Sequence, residues 1–197
     1  MFVLIGAGGH GKVIAEILKL IGVSNYVFYD KFLLPDPDRF ITNVLPISNH
    51  ETKFLVCIGN NRLRKENVSM ISNQFGIVIH PSSIVSSSVV IEAGTVVLAN
   101  AVINSFVKIG KHCIINSNST IEHDCVIEDF VHVSPGATIC GNVHVGCGTQ
   151  IGAGAVIIPG LKIGSWSTIG AGAVVIQDVP DNVIVVGNPA KLIKRRI

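Results

Sequence analysis

Charge is scarce in this chain: 15 basic and 13 acidic residues among 197 leave a net charge of +2, with 48% of the residues hydrophobic and 14% charged. So even a balance carries no electrostatic footprint for a polyanion, and excludes nucleic acid as an expected partner. Long apolar runs are also missing. The longest are strand-sized and broken by Gly, Asn or Asp, so none supplies the ~20 residues of a membrane span, and no membrane partner is expected. Residues 1–6 lack the basic segment and cleavage site of a secretory leader and read as a buried first strand, which points to a cytoplasmic location. The five cysteines are an odd number with no CxxC pair. Cys113 and Cys125 read as small buried thiols rather than catalytic or metal-binding groups.

What the chain has in abundance is a six-residue repeat. From Val85 to Val175, sixteen consecutive units begin with Val or Ile and no other residue type intrudes. Four positions on, most units carry something small, such as Thr95, Ala101, Cys113, Ser119, Cys125, Ala137 or Thr149. Six residues turn an α-helix by ~600°, which would scatter the aliphatic residues over its faces. A parallel β-helix suits the pattern: three short strands make a triangular coil of about eighteen residues, the Val or Ile points inward, and the small residue sits at the corner. Stacked coils pair in parallel at ~4.8 Å. No insertion interrupts the units, so walls for a site must come from elsewhere.

Residues 1–78 follow a different grammar and are expected to form a separate α/β domain, with the β-helix domain over 79–197. Phe2 to Ile5 reads as a strand. Gly6, Gly8 and Gly11 follow it, then Val13, Ile14, Ile17, Leu18 and Ile21 at helical spacing, with Gly22 as the stop. Tyr26 to Tyr29 and Leu55 to Ile58 read as further strands, and Arg62 to Gln74 as a second helix. This β-α-β-x-β-α order predicts a parallel sheet, a half-Rossmann unit. A GxGxxG turn between strand and helix, with Asp30 about twenty residues on, can seat a diphosphate on the helix N-terminus and a ribose hydroxyl on the carboxylate. Fewer than eighty residues favour a mononucleotide diphosphate over a dinucleotide. Residues 33 to 52, with Pro35, Pro37 and Pro46, read as a loop or edge region, and His80 as a linker residue.

Four of the seven histidines lie in the repeat: His112, His123, His132 and His144. His123 is the third residue of its unit, an outward position near a corner, and Asp124 follows it. A histidine with a carboxylate beside it to orient the ring suits general-base catalysis of acyl transfer. Gly141, one coil later, should stack on His123 and leave space beside it.

These features together resemble the bacterial nucleotide-4-amino-sugar N-acetyltransferases, hexapeptide-repeat enzymes related to the sialic acid O-acetyltransferases. The resemblance runs over Gly6–Gly11, Tyr29–Asp30, Ile58–Asn61 with Arg64 and Lys65, Glu122–Cys125, His132–Ser134 and Gly187–Lys191. It implies a left-handed β-helix, a homotrimer with sites between adjacent prisms, acetyl-CoA as co-substrate and no metal. By the same resemblance, Gly8, Gly9, His10, Asp30 and Gly59 hold the nucleotide sugar, His123 is the base and Asp124 its partner. His132, Gly141, Ala153 and Ala171 line the acetyl-CoA groove.

The expected reaction is N-acetylation of a nucleotide-linked 4-amino sugar for bacterial surface glycans. UDP is the first candidate nucleotide, although Lys31 replaces a second acid that UDP-sugar members carry, which leaves GDP and dTDP open. Competing readings are an O-acetyltransferase acting on sialic acid or another sugar, a γ-type carbonic anhydrase, and a scaffold that binds nucleotide sugars without turnover. The basic end, Lys191 to Arg196, reads as a solvated last turn or as a contact for coenzyme A phosphates.

Overall fold

A computed structural model describes residues 1–32, 41–42 and 51–195; the prolines at 35, 37 and 46 and the final Arg196 lie outside them. The first part is a lobe built on a four-stranded parallel sheet. Strands β1 (Phe2–Ile5), β2 (Tyr26–Tyr29), β3 (Ile41–Thr42) and β4 (Lys53–Val56) stand in the order β3-β2-β1-β4, so the strand from the 33–52 region is an edge. Helix α1 (Gly9–Leu20) connects β1 to β2, and α2 (Asn61–Val68) follows β4. Ile14, Ile17 and Leu18 are buried, while Val13 and Ile21 of the same apolar pattern are exposed. Helix α2 stops at Val68, well short of Gln74, where Ser69 closes the turn by bonding back to the Glu66 carbonyl.

The glycine turn is sterically required. A Cβ at Gly11 would run into the Gly6 carbonyl oxygen, so only glycine lets α1 lie this close to the end of β1.

From Val78 onward the chain winds as a parallel β-helix of two-residue strands on three faces. The lobe face starts at Val78–Ile79 and carries eight strands, the second face starts at Ile84–Val85 with six, and the third at Val90–Ile91 with five. Up to Val175 the strands pair in parallel with those eighteen residues on, as in Ile115 with Val133 and Ile121 with Ile139, and the last coil shortens this to sixteen. The ladder residues from Val97 to Val175 form one continuous buried core. Burying each such side chain contributes about 1.5–3 kcal/mol, which makes the column the main stabilising element.

The corners obey a second period. Every sixth residue from Gly94 to Gly172 has a positive φ, between 55° and 80°. Most are Gly, Asn or Asp, which tolerate the left-handed conformation, but Phe106, His112, Phe130 and Trp166 also occupy it. The small corner residues satisfy the turns: Thr95 Oγ1 donates to the Gly110 carbonyl and Thr149 Oγ1 to that of Gly164. Cys113 and Cys125 take the same role with sulfur, donating to the carbonyls of Glu128 and Cys140. Burial pushes the Cys113 thiol up to about 12, so it behaves as an inert structural donor. The last coil ends in strand Val183–Val186, which pairs in parallel with Thr168–Ile169, and Lys191–Arg195 returns antiparallel to it as an exposed edge.

The lobe sits on the lobe face. Leu4, Ile14, Leu18 and Leu55 share one apolar cluster with Val78, Val96 and Ile114, the outward residues of three successive coils.

Candidate functional site

The first half of the site is a cleft of about 630 Å³ in the lobe. Gly6, Gly8, Gly9 and His10 from the β1–α1 turn line it, with Asp30 and Lys31 after β2 and Gly59 after β4. All five residues expected to hold a nucleotide sugar are therefore brought together. The first turn of α1 has no side-chain cap and no acidic residue, so its backbone N–H groups and positive dipole end remain for an anion. Asp30 does more than face the cleft. One carboxylate oxygen accepts the Ala7 N–H at 3.0 Å and the other the Phe32 N–H at 3.1 Å, so this residue shapes the glycine turn. Leu63 and Met70 add an apolar wall that was not anticipated from the sequence.

His10 is held neutral. Burial, reinforced by the Arg64 charge, lowers its pKa to about 4, and its Nε2 is a buried atom without a protein hydrogen bond. A neutral imidazole there can exchange a hydrogen bond with a hydroxyl or phosphate oxygen.

The second half is at a corner of the prism. His123 and Asp124 lie between the second-face strand Thr120–Ile121 and the third-face strand Val126–Ile127. Asp124 adopts the left-handed conformation at φ 61°. Its Oδ2 stands 2.8 Å from His123 Nδ1, and both side chains are more than half exposed. The pair assigns the Nδ1 proton to the carboxylate contact and leaves Nε2 free to accept a proton. Gly141 stacks on the ring as expected: a Cβ there would come within 2.7 Å of Cε1 and 2.8 Å of Nε2. Any side chain at 141 would cover the basic nitrogen.

The remaining residues expected at an acetyl-CoA groove do not converge in one chain. Ala153 and Ala171 stack at the corner between the lobe face and the second face, where the Gly172 N–H reaches the Ala153 carbonyl. His132 points from the lobe face toward the nucleotide lobe, with Nδ1 3.4 Å from the Gly59 carbonyl and Nε2 3.1 Å from Asn116 Nδ2. Burial first, then the Arg64 charge and the proximity of His10, lowers its pKa to about 4, with the Gly59 contact opposing. The corner bearing His123 is opposite the lobe face, so one protomer keeps its cleft and its His–Asp pair on different sides.

A hexapeptide prism bearing a nucleotide-type lobe and an exposed His–Asp pair defines the acyltransferase class of β-helix proteins. Residues 2–71 match the PglD N-terminal domain, and residues 106–141 and 142–177 each match the bacterial transferase hexapeptide family of six repeats. The chain is similar over its whole length to the acetyltransferase domain of PglB from Neisseria gonorrhoeae FA1090, at 38% identity and TM-score 0.91, with 98% of each chain covered. That domain has also been solved in complex with acetyl coenzyme A. A point mutant of GDP-perosamine N-acetyl transferase from Caulobacter crescentus, in complex with CoA and GDP-perosamine, superposes at TM-score 0.90 and 32% identity, covering 98% of this chain and 96% of that one. The solved forms of that enzyme include variants in which one histidine is replaced by alanine or asparagine. A curated relative, UDP-N-acetylbacillosamine N-acetyltransferase of Bacillus subtilis (strain 168), is 41% identical over 101 residues. That match covers 45% of this chain and 46% of the relative, so it spans about half of either length.

The chain belongs to the bacterial nucleotide-sugar N-acetyltransferase family. Among the described residues no cluster of His, Cys, Asp and Glu has a metal-site arrangement, and no helix is long and apolar enough to cross a membrane.

Proposed function

We propose that this protein transfers the acetyl group of acetyl-CoA to the amino group of a nucleotide-linked 4-amino sugar, in the cytoplasm, as a homotrimer. The observation that carries the reading is the His123–Asp124 pair at 2.8 Å, exposed at a corner and left uncovered by Gly141. The diphosphate rests on the first turn of α1, with His10 and Gly59 beside the sugar. Asp30 holds the turn and offers its remaining lone pairs to a ribose. Acetyl-CoA lies along the groove between two prisms, past Gly141 of one and the Ala153–Ala171 corner.

His123 Nε2 removes a proton from the neutral attacking amine as nitrogen bonds to the thioester carbonyl carbon. The C–S bond then breaks and CoA leaves as thiolate, which takes up the proton. Asp124 keeps the ring in the tautomer that this requires and stabilises the imidazolium. Because the cleft and the base stand on opposite sides of one prism, a complete site needs the cleft of one protomer and the His–Asp corner of its neighbour. A closed ring of like chains supplies that pairing three times over.

The reading is tested by offering nucleotide amino sugars and their hydroxyl counterparts with acetyl-CoA and following thiol release. The expected result is turnover of one amino sugar, with His123→Ala reduced by about 10²–10⁴-fold at unchanged melting temperature. Wild-type turnover by His123→Ala would remove the histidine from the role of base, and acetylation of the hydroxyl sugar alone would make the enzyme an O-acetyltransferase.

A further inference from the structure

The Asn61–Arg64 segment of α2 is absorbed neither by the cleft nor by the His–Asp corner, and yet Arg64 is among the most deeply buried side chains, at 1% exposure. Among the described residues, no carboxylate pairs with it. All its N–H groups go instead to oxygens from two parts of the molecule. Nη1 donates to the carbonyls of Ile58 (2.9 Å) and Gly59 (3.2 Å), the backbone under the cleft. Nε donates to the His112 carbonyl and Nη2 to that of Phe130, both at 2.8 Å, on two successive coils of the prism. Nη2 also reaches Asn61 Oδ1, and Asn61 Nδ2 continues the series by donating to the carbonyls of Gly148 and Thr149 on the next coil.

The corner carbonyls of 112, 130 and 148 stack one coil apart, and Asn61 and Arg64 are one helical turn apart. Their side chains thus read the column like a rack, in one register only. The other contacts between lobe and prism are less exacting in direction: the apolar cluster of Leu4, Ile14 and Val96 with their neighbours, the edge of Phe75 on His112, Arg62 and Lys65 over the Trp166 ring, and the 3.4 Å approach of His132 to the Gly59 carbonyl.

We infer that Arg64, seconded by Asn61, is a positioning residue for acetyl transfer: it locks the substrate cleft to one register of the prism, and thereby sets the distance from the bound amino group to the neighbouring chain's His123. This rests on the reading that the cleft and the base of one site come from two chains. The neighbouring prism is fixed to this prism, so the cleft reaches the base correctly only if the lobe holds its pose. Misplacement of about 1 Å is enough to cost on the order of 100-fold in rate.

Lysine cannot substitute, since three donors on a flexible stem cannot serve a planar fork of five acceptors. The tests use the full-length protein with Arg64→Lys and Asn61→Ser, scored for folding by melting temperature and for assembly by light scattering. For Arg64→Lys the expectation is a loss of about 100-fold in kcat/KM for the nucleotide sugar, shared between kcat and KM, with the KM for acetyl-CoA within about twofold of wild type. Asn61→Ser, which retains Arg64, should show the same split at smaller size and decides the matter if Arg64→Lys does not fold. Unchanged sugar kinetics in a folded variant would overturn the inference, as would equal losses toward both substrates. If wild-type protein acetylates no nucleotide sugar, the proposed activity fails separately. The lock between lobe and prism is then judged by amide exchange: faster exchange confined to 57–68 in Arg64→Lys supports it, and an unchanged pattern refutes it.

Discussion

At the scale of single residues, the site depends on what is small as much as on what is reactive. Gly141 is the clearest case. Its φ lies outside the left-handed region, so the backbone would accept alanine without strain, and the cost falls entirely on the neighbour. A methyl there would push the imidazole off the Asp124 contact or cover Nε2. Gly141→Ala should therefore lower kcat by at least about 10-fold while leaving the melting temperature within a few degrees, checked by steady-state kinetics and calorimetry. Equal kcat in the variant would mean that the space beside the ring is not used. His123, Asp124 and this stacking were legible from the sequence because they depend only on position within the repeat. Asp30 was legible as a cleft residue, but not as the acceptor of the Ala7 N–H, since that bond joins residues 23 apart through the folded turn.

Among elements, the seam between lobe and prism decides most. His112 is 5% exposed, stacks on Phe130 at 5.2 Å, and meets the edge of Phe75 at 4.5 Å. Its Nδ1 has no hydrogen-bond partner, and its pKa is lowered to about 4, first by burial, then by the charge of Arg64; Asp129 opposes and Lys111 adds. His10 and His132 lie near the same buried guanidinium and shift the same way.

The sign follows from linkage. Between pH 6.5 and 4 the unfolded chain binds more protons than the folded one, so stability is fully present above about 6.5 and is lost as pH falls toward 4. For His112 the loss amounts to up to about 3 kcal/mol. The melting temperature should fall steeply from pH 7 to 4.5. His112→Asn, which suits the left-handed corner, should be less stable at pH 7 but lose less on acidification. Parallel pH profiles for the two proteins would exclude His112 as a source of the acid sensitivity. A sequence signal for this seam exists. Three of the four bulky residues in left-handed corner positions, His112, Phe130 and Trp166, fall on the one corner that α2 covers, where Arg62 and Lys65 lie over the Trp166 ring at 4.9 and 5.2 Å. Strain at those positions is tolerated because packing offsets it.

For the molecule as a whole, the separation of cleft and base makes a prediction that a self-contained protomer would not. Two inactive variants, His123→Ala and Asp30→Ala, should complement each other when co-expressed, because the base of one chain can serve the cleft of the next. With random mixing, a site needs an intact cleft and an intact neighbouring base, each present half the time, so activity should reach about a quarter of wild type. Co-purified mixtures assayed for thiol release would show this. Activity no greater than the sum of the separate variants would place base and cleft in the same chain.

The prism and its contents were written locally. A period of six with Val or Ile at one position dictates the inward column whatever surrounds it, and the strand–glycine–helix order dictates the lobe sheet, so both were readable as strings. The placement of His123 beside Asp124 at a prism corner followed from the same register. What only folding in three dimensions decided is where these parts stand. The end of α2 at Val68, the burial of Arg64 against backbone carbonyls, and the turning of His132 toward Gly59 all arise from contacts between residues 48 to 88 positions apart, or from a cap that competes with continued helix. No local pattern encodes such contacts, because their energy depends on which carbonyls the coils happen to stack at that corner.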